Sequence, residues 1–276
     1  MNQRVWLITG ASSGFGRALA DAALSAGDTV VAAVRNPKAM AELVEANPDR
    51  VSTVELDLTD QAQITAAVAE VVERHSRIDV LVNNAGRGIA GAAEDTTDEE
   101  LRGLMDLHLF GPAALVRAVL PHMRAKGSGS IVQMSSQTGR VAFPGVSAYA
   151  ATKFALEGWS EALAAEVGPH GIHVLIVEPG AFRTGFNAPG VLLFAESSGV
   201  YDQEVGPVLA ALAGADGQQP GDPVKAAEAI VKALDAPKTP LRLALGSDAA
   251  EIIAGGLEQA RAELAEWDSV TRGADF

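Results

Sequence analysis

Short β-branched runs alternate with longer Ala- and Leu-rich periodic segments along most of this chain. Strands are predicted at 5–9, 29–34, 51–56, 78–82, 130–134, 173–177 and 241–245. Helices are predicted at 14–26, 37–46, 61–75, 98–123, 147–167, 222–234 and 249–267, with the fourth dividing near Gly111-Pro112. The strand runs are almost wholly apolar rather than alternating, which requires a sheet covered on both faces. Apolar strands separated by helices build a parallel sheet between two helical layers. The expected fold class is therefore α/β, a doubly wound parallel sheet of about seven strands in three α/β/α layers.

One open sheet of this kind accommodates all 276 residues, so a single domain spanning 1–276 is expected. Only 5% of residues are aromatic, so the core must be built from Ala, Val, Leu and Ile. The segment 180–221 breaks the rhythm and is rich in Gly and Pro. It follows the carboxyl end of a strand, where doubly wound sheets bind ligands. It is read as a substrate loop, partly helical and mobile; the alternative is a surface excursion without function. The acidic run 94–100 is a helix entry, with Thr97 as the cap and Asp98, Glu99 and Glu100 in the first turn.

The net charge of −14 opposes phosphate backbones and anionic bilayers, so neither nucleic acid nor membrane is an expected partner. There are no cysteines, which removes thiol catalysis, disulfides and thiolate metal sites. Residues 1–10 form a strand-like run without the features of a signal peptide. No run of about 20 apolar residues is present, so no membrane span is expected. The expected location is cytoplasmic.

After the first strand comes Thr9-Gly10-Ala11-Ser12-Ser13-Gly14-Phe15-Gly16. Small residues at a strand-to-helix turn let the backbone approach a pyrophosphate, and the helix N-terminus supplies N–H donors. A tight turn alone also explains three glycines; the position between an apolar strand and an amphipathic helix favours a Rossmann-like dinucleotide site. Gly10, Ser12, Ser13, Gly14, Phe15 and Gly16 are the candidate residues. The second strand ends Ala33-Val34-Arg35-Asn36, with no carboxylate for a free ribose hydroxyl. Arg35 suits a 2′-phosphate, with Arg17 assisting, so NADP(H) is the expected cofactor; the alternative is a solvated surface charge.

Tyr149 and Lys153 lie four residues apart in a helical segment, one turn apart on one face. A free tyrosine has a pKa of roughly 10, and an adjacent ammonium is expected to lower it. Alone, this spacing is common. Here Ser135 and Ser136 end the fifth strand, Asn83-Asn84-Ala85-Gly86 ends the fourth, and Pro179-Gly180 ends the sixth, all on one sheet edge.

With these motifs the chain resembles the short-chain dehydrogenases/reductases over nearly its whole length. The match rests on Thr9 to Gly16, Asp57, Asn83 to Gly86, Ser136, Tyr149 with Lys153, and Pro179-Gly180 followed by Thr184. The resemblance implies an NADP(H)-dependent enzyme that interconverts a ketone or aldehyde and an alcohol, with Tyr149 as general acid/base. Ser136 and Tyr149 would hold the carbonyl oxygen, and Lys153 would also bind the nicotinamide ribose. Asp57 would contact the adenine. Leu58, Asn83, Ala85 and Gly86 would line the adenosine side, and Pro179, Gly180, Phe182 and Thr184 the nicotinamide side. Ser136, not Ser135, has the family's spacing to the tyrosine. A homodimer or homotetramer pairing the helices around 107–124 and 147–167 is implied as well.

One position departs from the family. Where it has an asparagine before Gly111, this chain has His108. The ring either enters the proton relay or is satisfied by local hydrogen bonds while the backbone keeps the relay role. No His/Asp/Glu group has metal-ligand spacing, so no metal is expected. Ser135-Ser136 lacks the elbow of a serine hydrolase. A non-catalytic NADP(H)-binding sensor on the same fold is the rival reading, but it has no need of the Ser/Tyr/Lys set. Phe143, Val146, Phe186, Leu192, Leu193, Phe194 and Tyr201 suggest an apolar pocket for the small-molecule substrate.

Overall fold

The computed structural model describes residues 3–276; Met1 and Asn2 of the strand-like opening run lie outside the described residues. In chain order the first half holds β1 (Val5–Thr9), α1 (Gly14–Ser25), β2 (Thr29–Val34), α2 (Ala41–Ala46), β3 (Val51–Glu55), α3 (Gln61–His75), β4 (Val80–Asn83), β5 (Gly88–Ala90), α4 (Asp98–Met105) and α5 (Gly111–Lys126). The second half holds β6 (Gly129–Met134), α6 (Ser147–Val167), β7 (Ile172–Pro179), β8 (Leu192–Phe194), α7 (Asp202–Gly214), α8 (Pro223–Leu234), β9 (Arg242–Leu245), α9 (Ser247–Glu266) and α10 (Asp268–Arg272).

Seven strands form one sheet in the order β3-β2-β1-β4-β6-β7-β9, and every pairing in it is parallel. The order reverses between β1 and β4, which opens a crevice at the carboxyl ends of the strands. Strand side chains alternate between faces, and both faces are apolar. Trp6 and Ile8 pack with Leu19, Ala23, Ala227 and Ile230 of α1 and α8. Val5 and Leu7 pack with Ile64, Val68, Leu115, Val119 and Leu163 of α3, α5 and α6. This is the expected three-layer α/β/α arrangement.

Three details add to the sequence expectations. The helix predicted at 98–123 divides, but at a π-helical segment, Asp106–Phe110, just before Gly111. The chain packs closely just after it: a Cβ at Gly111 would lie 2.4 Å from the Leu58 carbonyl oxygen. Within the helical stretch Asp98–Lys126 an 18-residue window reaches a mean hydropathy of 1.3, enough for a membrane span by length and composition alone. Half of that window is buried, because Leu115, Val116, Val119 and Met123 form the core under the sheet. Finally, the 180–221 segment is partly helical as expected, through α7, but it also contributes β8, which pairs in parallel with β5. Strands of three residues carry too short a pattern to be read from sequence.

Candidate active site

The glycine turn joins β1 to α1 under strong steric constraint. Gly10 and Gly14 have φ of +65° and +53°, a left-handed backbone that favours glycine. A Cβ at Gly16 would lie 2.3 Å from the Gly10 carbonyl oxygen. Ser13 is the N-cap residue of α1 but makes no side-chain bond there, and Ser12 and Ser13 are exposed. Phe15 stacks on Phe182 with ring centres 5.1 Å apart.

Thr9 and Asn84 hold this turn against β4. The Thr9 hydroxyl donates to the Val82 carbonyl at 3.2 Å and accepts from the N–H groups of Asn84 and Ala85 at 2.9 and 3.1 Å. The Asn84 amide donates to the carbonyls of Thr9 and Gly10 at 2.9 and 3.3 Å. Sequence reasoning singled out Asn83 instead. Its amide turns into the core and donates to Gln133 at 2.9 Å, since adjacent strand residues point to opposite faces. Leu58 likewise buries its side chain, against Gly111. Gly86 lies against the His108 ring, which would meet a Cβ there at 3.1 Å.

Arg35 is exposed at the end of β2, and Asp57 sits near it at the end of β3. The Thr59 N–H and hydroxyl bond the Asp57 carboxylate at 2.9 and 2.7 Å and hold its pKa below the usual range, with Arg35 adding to the effect. Arg17, by contrast, pairs along its own helix with Asp21 at 3.1 Å. Pro179 is buried at the end of β7, and the Gly180 N–H donates to Leu245 at 2.9 Å. The chain then returns to the glycine turn, where a Cβ at Gly14 would lie 2.8 Å from the Thr184 carbonyl oxygen.

Ser136, Tyr149 and Lys153 converge at the same edge. Ser136 accepts from the Thr138 N–H at 3.1 Å, which orients its hydroxyl at the end of β6. Lys153 is buried and donates to the Met134 carbonyl at 2.8 Å, with its nitrogen 5.6 Å from the centre of the Tyr149 ring. Burial pulls the Lys153 pKa down to about 8, with the Glu157 charge opposing the fall. Burial also pushes the Tyr149 pKa up to about 12, against the pull of the Ser136 hydroxyl. Lys153 points its ammonium at the Met134 carbonyl, and burial is the larger influence on the phenol.

His108 is buried with both ring nitrogens engaged. Nε2 accepts from the Arg87 N–H at 3.2 Å, so Nδ1 carries the proton and donates to the Thr152 hydroxyl at 2.9 Å. That hydroxyl donates in turn to the Tyr149 carbonyl at 2.8 Å. Burial, then the charges of Lys153 and Arg87, hold the imidazole pKa well below its usual value. Of the two roles open to this ring, the geometry matches local satisfaction: a neutral imidazole tying the loop after β4 to the helix of Tyr149. Replacing His108 by Asn is therefore expected to leave the shape of the pH–rate profile unchanged between pH values of about 5 and 8. A limb that vanishes in the variant would return the ring to the relay.

Of the residues expected to form an apolar pocket, Phe186 lies over Tyr149 with ring centres 5.6 Å apart. Leu192 is buried in β8, while Leu193 and Phe194 are exposed and the Tyr201 hydroxyl donates to Glu94. Among the described residues there is no group of His, Asp and Glu suited to a metal.

Comparison with known proteins agrees with this geometry. The sequence profile of the short chain dehydrogenase family matches residues 4–190. A short-chain dehydrogenase from Streptomyces avermitilis superposes with a TM-score of 0.95 at 55% identity, covering 100% of both chains. A short-chain dehydrogenase from Burkholderia cenocepacia in complex with NADP superposes with a TM-score of 0.74 at 27% identity, covering 96% of this chain and 97% of the other. Oxidoreductase BOA17 of Botryotinia fuckeliana is 38% identical over 96% of each chain. A parallel sheet, a glycine turn at its switch point and this family match give one conclusion: the chain belongs to the short-chain dehydrogenase family of oxidoreductases.

Proposed function

We propose that the protein is an NADP(H)-dependent oxidoreductase that interconverts a ketone or aldehyde and an alcohol. The observation that carries this reading is the convergence of Ser136, Tyr149 and Lys153 on the sheet edge that also presents the glycine turn. The turn fits a nicotinamide dinucleotide, because Gly16 has no room for a Cβ and the uncapped N-terminus of α1 is a favourable place for a phosphate. When bound, that cofactor supplies or accepts the hydride. The protein's part is orientation and proton transfer. The Ser136 hydroxyl donates to the carbonyl oxygen of the substrate, and the Tyr149 phenol donates a hydrogen bond and then its proton to the same atom. A phenol held at about 12 keeps its proton throughout the neutral range and so has it to donate. Phe186 packs its ring against that of Tyr149. Following NADPH absorbance with a panel of ketones and aldehydes tests the reading; binding of NADPH without turnover of any carbonyl would replace it with a sensor.

The preference for NADP(H) rests on Arg35, exposed at the end of β2 where no carboxylate stands. A charge-assisted bond to a phosphate contributes about 1.5–3 kcal/mol. Replacing Arg35 by Ala is expected to raise KM for NADPH roughly 10- to 100-fold and to leave KM for NADH unchanged. Equal changes for both cofactors would remove Arg35 from phosphate recognition.

A further inference from the structure

Tyr149 sits in the first turn of α6, and the residue ahead of that helix, Val146, makes no side-chain cap bond. The first turn of a helix has N–H groups without intrahelical partners and is held weakly where nothing caps it. A phenol that must stay within hydrogen-bond reach of a substrate oxygen needs another brace at this end of α6. One turn further on, Thr152 supplies it.

Thr152 is 0% exposed, and its hydroxyl is engaged twice. It donates to the Tyr149 carbonyl at 2.8 Å, and His108 Nδ1 lies 2.9 Å from it. A hydroxyl has one proton, so with that proton on the Tyr149 carbonyl it accepts from His108. On the far side of the ring the Arg87 N–H donates to Nε2 at 3.2 Å, so Nε2 carries no proton. Both demands select the same tautomer. The bonds then run in one direction, from the loop after β4, through the π-helical segment Asp106–Phe110, into the turn of α6 that carries the phenol. The His108 ring also meets the Tyr149 ring edge-on, with centres 5.6 Å apart and planes at 88°. Tyr149 is thus held at its carbonyl and at its ring by two connected, buried side chains. Gly86, in the loop at the other end of this chain of bonds, approaches so closely that a Cβ there would lie 3.1 Å from His108 Nε2.

Resting on the reading of Tyr149 given above, we propose that Thr152 is a positioning residue: its hydroxyl, engaged by His108, fixes the phenol of Tyr149 relative to the loop after β4. The side chain suits the task. A β-branched residue in a helix has few χ1 choices, and threonine uses one of them to bond a carbonyl a turn back. Valine has the same shape without either bond, and serine keeps the hydroxyl on a freer side chain.

The test is Thr152→Val. A small displacement of a reacting group is costly even when its cause lies away from the chemistry, so kcat for ketone reduction is expected to fall about tenfold. Thr152 touches neither cofactor nor substrate in this reading, so both KM values are expected to stay within about twofold. Thr152→Ser is expected to recover most of the loss. Should the valine variant not fold, Thr152→Ala is expected to show the same fall in kcat at unchanged KM. An equal loss in Thr152→Ser, or a lower melting temperature with kcat unchanged, would make Thr152 a packing residue and overturn the proposal. The chain has only two tyrosines, Tyr149 and Tyr201, so ¹³C-tyrosine NMR reads the phenol without turnover, with Tyr201→Phe assigning the pair. The Tyr149 signal is expected to move in Thr152→Val and to return in Thr152→Ser, while that of Tyr201 stays. That pattern in a protein that reduces no carbonyl would uphold this proposal while the functional reading falls, and an unmoved Tyr149 signal would reject it whatever the turnover.

Discussion

Replacing Tyr149 by phenylalanine is expected to lower turnover by about 100-fold or more, the lower range for loss of a general acid. Cofactor affinity is expected to stay the same, because the glycine turn, Thr9 and Asn84 are held by bonds that do not involve the phenol. The ring keeps its place between His108 and Phe186, each with its centre 5.6 Å away, so the variant removes one hydroxyl and little packing. Steady-state kinetics with a reduced ketone and fluorescence titration with NADPH separate the two effects. A kcat within about fivefold of wild type would place the proton elsewhere, with Ser136 the next candidate.

Loss of Asp79 should have the largest effect on stability. This carboxylate is 5% exposed at the start of β4. It accepts from the Val5 N–H at 2.8 Å and from Arg77 Nη2 at 2.9 Å, and it pairs with Lys126 at the end of α5. One side chain thereby joins β1, β4 and α5 at the amino end of the sheet. Asp79→Ala leaves a buried strand N–H without a partner and two partly solvated cations unpaired, at an expected cost of about 1–3 kcal/mol. Urea unfolding at neutral pH measures it, and a loss below about 1 kcal/mol would show that solvent replaces these bonds. The pH dependence has a definite sign. Burial raises the Asp79 pKa, but Arg77, Lys126 and the Val5 N–H outweigh it and hold the group below its usual value. Its stabilisation is thus present above a pH of about 4 and lost as the carboxylate protonates below that, so variant and wild type should converge in acid.

Much of the fold was legible because its signals are local. Apolar runs such as Val80–Asn83 carry their burial on both faces in the residue types themselves. Thr97 and Glu100 spell out a capping box, which is present. Short or inserted features were not legible. β5 and β8 exist only because residues more than a hundred positions apart meet, and the π-helical segment ahead of Gly111 carries no local pattern of its own. The membrane-like hydropathy of Asp98–Lys126 shows the converse: one pattern serves a core helix and a span, and only the partner surface tells them apart.

The candidate site divides along the same line. Residue types and spacings alone put Ser136, Tyr149 and Lys153 on one sheet edge with the glycine turn, because strand ends and helical periodicity are properties of the chain itself. Which side chains face that edge, and in what state of charge, belongs to the packing. Asn84 rather than Asn83 braces the turn, His108 is a neutral clamp, and Tyr149 is raised rather than lowered. Each of these depends on which atoms surround a group and how far water is excluded from it, and electrostatics of that kind is decided by three-dimensional neighbours that no local pattern encodes.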